Sequence, residues 1–103
     1  MVKWQGLGYV TVTVAGTPVP VSASQIIAPG CLIQAAKSNT GVIYAGGTDL
    51  DATHRGIELG PGEAVEIVGP GISGSEEEIN LAQIYVDAAT SGDKVVVSYF
   101  TRS

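Results

Sequence analysis

His54 and Cys31 are the only histidine and cysteine in the 103-residue sequence, and these types carry much of the acid–base, nucleophilic and metal chemistry of proteins. For a hydrolase, His54 would need a nucleophile beside it and an acid to orient it. Ser22, Ser24, Thr53, Asp49 and Asp51 are of suitable types, yet no nucleophile-elbow sequence surrounds a serine. A structural zinc takes four ligands; one histidine and one cysteine 23 positions apart do not supply them. Cys31 sits in the apolar run Cys31-Leu32-Ile33 and reads as a small buried hydrophobe. His54, beside Arg55 in a Thr/Asp/Gly-rich stretch, reads as a loop or subunit contact. At such a contact it would make assembly respond to pH near its ordinary pKa of about 6.5.

Two further patterns invite ligands. Gly69-Pro70-Gly71-Ile72-Ser73-Gly74 fits G-x-G-x-x-G, which in dinucleotide folds brings backbone amides to a pyrophosphate. Here a proline removes one amide, Glu76-Glu77-Glu78 follows where phosphates would sit, and no βαβ context surrounds it, so a connection is expected and no cofactor. Asp49-Leu50-Asp51 and the three glutamates could present oxygens to calcium, which needs about 6–8 of them. Two short clusters reach that number only if the fold joins them, and the expectation is a pair of solvated loops without a metal.

The elements that must position these residues are strands. Valine and isoleucine total 22 residues against five leucines, and branching at Cβ suits a pleated sheet. Tyr9-Val10-Thr11-Val12-Thr13-Val14 alternates strictly, which places its valines on one face. Lys94 to Phe100 forms a second strong strand, and five more are expected at 19–22, 31–36, 42–45, 64–68 and 83–88. Ser38-Asn39-Thr40-Gly41 reads as a hairpin-like turn because Asn and Gly tolerate positive φ. Gly60-Pro61-Gly62-Glu63 and Ser91-Gly92-Asp93 punctuate the chain in the same way. Ser75-Glu76-Glu77-Glu78 matches a capping box, so one short helical turn is expected there, ended by the strand chemistry of Ile84-Tyr85-Val86.

Charged residues make up only 15% of the sequence, against about 25% in ordinary soluble domains. No apolar stretch approaches the roughly 18–20 residues of a membrane helix, and Met1 to Gly6 lacks the apolar core of a secretion signal. A chain this short of charge hides apolar surface, and burial between subunits is the natural outlet, so a homo-oligomer is expected. The net charge of −5, with Lys3, Lys37, Arg55, Lys94 and Arg102 scattered, argues against nucleic acid and anionic membranes. Among the aromatics, Tyr44 and Tyr85 are expected to be mostly buried in apolar strands. Trp4 stands in a Gly-flanked arm, Val2 to Gly8, ahead of the first expected strand, where one large amphipathic side chain suits either docking onto a neighbour or packing on its own chain.

From Thr17 to Tyr99 an ordered series of phrases accumulates: Pro18-Val19-Pro20-Val21-Ser22, Ile33-Gln34-Ala35, Asn39-Thr40-Gly41-Val42-Ile43-Tyr44-Ala45-Gly46, Arg55 to Glu63, Ile84-Tyr85-Val86-Asp87-Ala88, and Gly92 with Val95 to Tyr99. In order and spacing this series resembles a group of small bacteriophage virion proteins of β-sandwich type. The resemblance implies a subunit of the phage particle, commonly a trimer, that cements capsid subunits or belongs to a fibre or tail. It carries no catalytic residue.

The expectation is therefore an all-β chain: a single β-sandwich, jelly-roll-like, with about seven to eight short strands and at most one short helical turn. Residues 1–8 form an N-terminal arm and 9–103 the sandwich. The expected function is non-enzymatic: a capsid decoration (cement) protein in the virion, assembled in the bacterial cytoplasm, with itself as a homo-oligomer, a trimer, and the major capsid protein or another virion protein as partners. The alternative is a fibre or tail component that binds a receptor or glycan. Trp4, Leu7, Tyr9, Asp49, Asp51, His54 and Arg55 are the candidate interface residues.

Overall fold

The computed structural model of the chain describes residues 2–51, 53, 56–68 and 79–102. Ten strands run through them: β1 (Val2–Thr11), β2 (Val19–Pro20), β3 (Ile27–Ala28), β4 (Gly30–Ala35), β5 (Ile43–Gly46), β6 (Ile57–Leu59), β7 (Ala64–Val68), β8 (Ile79–Asn80), β9 (Tyr85–Ala88) and β10 (Lys94–Arg102). They form two four-stranded sheets, in the orders β1-β10-β4-β7 and β2-β9-β5-β6, and the small pair β3-β8. Every pairing is antiparallel. Leaving the small pair aside, the sheets read first-eighth-third-sixth and second-seventh-fourth-fifth in chain order, which is the connectivity of a jelly roll. The expected all-β sandwich is the observed fold.

Period-two burial holds the layers together. Cys31, Ile33 and Ala35 of β4 and Val95 and Val97 of β10 point inward from the first sheet. They meet Ile43 and Ala45 of β5, Val86 and Ala88 of β9, and Leu59 of β6 from the second. Fully burying each Val, Ile or Leu contributes roughly 1.5–3 kcal/mol, so this inner layer dominates stability. Val12, Val21 and Leu81 close the core from the connections. The helical turn is a 3₁₀ turn, Leu81–Gln83, with the Asn80 side chain accepting from the Ala82 N–H at 3.0 Å. The capping-box segment expected to start it lies outside the described residues, as does Gly69 to Gly74.

Three expectations about the chain path change. Residues 2–8 are not an arm ahead of the first strand but the first part of β1, because β10 runs on to Arg102 and pairs with them as far as Val2. The partner strand is far away in sequence, and Gly6 and Gly8 break the local alternation that would have shown the strand. β1 bulges between Gly6 and Gly8, and Gly8 takes φ +100, a conformation that suits a residue without Cβ. At its other end β1 stops at Thr11 rather than Val14. Val12 is buried but Val14 is exposed, since the chain turns there to reach the second sheet, with Ala15 N–H on Ser91 Oγ and Gly16 N–H on Asp87 Oδ1, both at 2.9 Å.

The segment Ser38 to Gly41 is not a hairpin-like turn, since it carries the chain from β4 in the first sheet to β5 in the second. Nor does it use positive φ, which is found instead at Gly8, Gly16, Gly62 and Gly92 among the described residues. Distant side chains hold it. Asn39 Nδ2 donates to the Lys94 carbonyl at 2.8 Å and Asn39 Oδ1 accepts from the Lys94 N–H at 2.9 Å. The Asp93 carboxylate accepts from the N–H groups of Thr40 and Gly41 at 3.0 and 2.8 Å. Gly41 is needed for space: a Cβ there would lie 2.8 Å from Thr90 Oγ1.

Candidate interface

Among the described residues β1 is an edge strand, bonded to β10 on one side only, and its side chains from Lys3 to Tyr9 are exposed. Trp4 is 67%, Tyr9 66% and Leu7 36% exposed. A long free edge of this kind presents unpaired N–H and C=O groups to any neighbouring chain. The three β1 residues named from the sequence thus share one exposed strand.

The register extends this patch across the sheet. Because Val95 and Val97 face the core, Val96, Ser98 and Phe100 of β10 face outward, opposite Tyr9, Gly6 and Trp4 of β1. On β4 the outward positions are Leu32 and Gln34. Trp4 and Phe100 stack at a tilt, ring centroids 6.5 Å apart. Gly6 and Ser98 add little bulk between the larger side chains, which leaves a groove of about 550 Å³ bounded by Trp4, Leu32, Gln34 and Val96. Gln34 and Val96 also line an adjoining depression of about 340 Å³ with Tyr9, Lys37 and Lys94. There the Lys94 ammonium sits 4.7 Å from the Tyr9 ring centroid, a cation–π contact worth about 0.5–1 kcal/mol at an exposed site.

Phe100, Leu32 and Val96 were missed at the sequence level although a signal was present. Lys94 to Phe100 is apolar at both alternating sets of positions, and a strand with one solvated face would alternate cleanly. Tyr44 and Tyr85, expected to be mostly buried, are half-buried. Tyr44 follows the inward Ile43 on β5, and Tyr85 pairs with Gly46 on the same outer side of the second sheet.

Asp49 and Asp51 belong to the other sheet, in the β5–β6 connection, and both are exposed. Leu50 between them is buried and its N–H bonds the Gly47 carbonyl at 3.1 Å. Asp51 Oδ1 accepts from the N–H and hydroxyl of Thr53 at 2.8 and 2.9 Å, so this carboxylate shapes its own loop. The four-residue turn Gly60 to Glu63 sets β6 beside β7, so this connection lies on the side of the sandwich away from β1. The structure therefore does not gather the candidates into one site. His54 and Arg55 lie outside the described residues.

Cys31 is fully buried, and burial pushes its thiol up to about 11, which keeps it protonated and inert. Among the described residues, no three His, Cys, Asp or Glu side chains stand together as a metal site. What the geometry offers is surface, an apolar outer face with two lysines at one end. Compared with models of known protein families, with curated proteins and with solved structures, the chain finds no match.

Proposed function

We propose that this chain is a non-enzymatic virion protein, a capsid decoration (cement) protein that binds the assembled phage shell as a homo-oligomer, a trimer, and stabilises it. The observation that carries the reading is the apolar outer face of β1, β10 and β4, with Trp4, Leu32, Val96 and Phe100 on a jelly roll poor in charge. A contiguous outward-facing apolar surface, exposed at Trp4 and half-buried at Leu32, Val96 and Phe100, fits a protein contact, and the ordered phrases that resemble small phage virion proteins point to the particle as its setting. Neighbouring copies cover part of this surface and the shell covers the rest.

Stabilisation then follows from linkage. A ligand that binds only the intact shell stabilises it by RT ln(1 + [L]/Kd) per site, and many small copies sum to a large effect. Purified protein added to undecorated shells raises their disruption temperature in a saturable way; shells that neither bind it nor change temperature rule the reading out. Trp4 lines one groove and Tyr9 the depression adjoining it, with Gln34 in the lining of both, which favours a second reading as a glycan-binding fibre component. Glycan-array binding without shell binding selects that alternative.

A further inference from the structure

The two halves of β1 are held differently. Tyr9 to Thr11 run into Val12, which is buried and fixed to the β9–β10 turn. There the Val12 N–H donates to the Asp93 carbonyl at 2.9 Å, and the Gly92 N–H donates to the Val12 carbonyl at 2.8 Å. Val2 to Gly6 have no such anchor. Their backbone pairs with Ser98 to Arg102 of β10 and, among the described residues, with no other strand. The side chains of Lys3, Trp4 and Gln5 are all exposed. β4 leaves β10 at Phe100, so Lys3 and Val2 are the only strand partners of Thr101 and Arg102 among the described residues.

Gly6, Leu7 and Gly8 separate the halves. Leu7 is the extra residue of the bulge, and Gly8 takes φ +100, where a Cβ would be strained. Gly6 has neither reason to be glycine. Its φ is not positive, and a Cβ there would meet nothing within 4 Å. Glycine inside a strand weakens it, and what Gly6 supplies at that cost is freedom to turn next to the bulge.

We infer that Val2 to Gln5 is an exchangeable segment: it swings on Gly6 to Gly8 and pairs with Tyr99 to Arg102 of a neighbouring copy, each copy giving one segment and receiving one. This deepens the homo-oligomer part of the function proposed above and rests on it. The occupant is set by the contact itself. Every copy carries the same β10 end, so whatever holds the segment on its own chain, the Trp4–Phe100 stacking included, fits the segment of another copy equally well. Exchange keeps those contacts and lets the segment run past Leu7 without the bulge. Its cost is that of association, which the high local concentration of assembled copies offsets. Val2 to Leu7 reaches roughly 20 Å when extended, enough to cross to a copy seated beside β1. The giving and receiving sites differ, so the exchange runs one way around a closed ring, as in a trimer.

Disulfide trapping between chains tests this. Lys3 and Thr101 are direct partners across β1 and β10, close enough for a disulfide once both are cysteine. Cys31 is fully buried and stays out of the reaction. A Lys3→Cys chain and a Thr101→Cys chain are mixed in equal amounts at micromolar concentration, oxidised, and separated on a non-reducing gel. With exchange, about half of the chains appear as a linked pair of the two variants, the statistical limit for random neighbours in a ring. Leu32→Cys mixed with Ser98→Cys is the control, because Leu32 and Ser98 are partners inside the sheet and remain on one chain, so this mixture gives no linked pair. A Lys3→Cys and Thr101→Cys mixture that links no more than the control overturns the inference. So does a Lys3→Cys/Thr101→Cys double variant that closes only within its own chain while sedimenting as an oligomer. Shell binding by the same chains separates the two readings. Linked pairs without shell binding sink the cement role alone, and shell binding by chains that never link sinks the exchange alone.

Discussion

The corner between β4 and β5 and the edge strand β1 handle polar and apolar groups in opposite ways. At the corner, Asn39 and Asp93 are buried and each side chain is bonded to backbone more than 50 residues away in sequence. Along β1, Trp4, Leu7 and Tyr9 leave large apolar surfaces in solvent. A buried polar group is costly unless satisfied, so the corner is committed to one geometry and ties the two sheets together. The exposed side chains of the edge add little burial to the fold, although the backbone of β1 pairs with β10 along nearly its whole length. Polar satisfaction and apolar exposure are thus separated in space.

Four outcomes test that separation, the largest effect first. Asp93→Ala removes the acceptor of two N–H groups at the corner and destabilises the chain by about 3 kcal/mol, read as a lower urea midpoint with an unchanged m-value. Asn39→Ala leaves the Lys94 N–H without its acceptor and costs about 2 kcal/mol in the same measurement. Equal stability of either variant and wild type would erase the contrast between corner and edge.

The third outcome concerns pH. The folded thiol of Cys31 titrates at about 11 against 9.0 for the free group, so the unfolded chain loses this proton first. The contribution of the buried neutral thiol is fully present below pH 9 and is lost as pH rises to about 11, on the order of 1–2 kcal/mol. Urea midpoints fall more steeply over this window in wild type than in Cys31→Ala, and identical slopes would show that the thiol is not shielded. The smallest effect is at the edge. Trp4→Ala changes the stability of the dilute monomer by no more than about 0.5 kcal/mol, while the concentration dependence of wild-type Tm disappears in the variant.

Much of the fold was legible because burial in a two-layer sandwich writes itself into alternation. β4, β5, β7, β9 and β10 fall within two residues of where valine- and isoleucine-rich runs place them. The short strands β3, β6 and β8 left too little pattern to see, since two or three residues do not establish a period. At the candidate interface, Trp4, Leu7 and Tyr9 stood out by type and by their glycine-rich setting. Phe100, Val96 and Leu32 did not, because they count as core until register assigns them to the outer face.

Composition and period by themselves determined that this chain is built of strands, that Cys31 forms no internal disulfide, and that its charges form no basic stripe along the sequence. Tertiary structure alone decided that β1 begins at Val2, that Ser38 to Gly41 crosses between sheets, and that Asn39 and Asp93 work as clamps. The physical reason is range. Alternation reports which face of a strand is buried, a local property, whereas sheet membership and polar satisfaction depend on partners such as Phe100 for Trp4 and Lys94 for Asn39. Those partners lie beyond the reach of any local pattern, and they turned an expected N-terminal arm into the edge of a jelly roll.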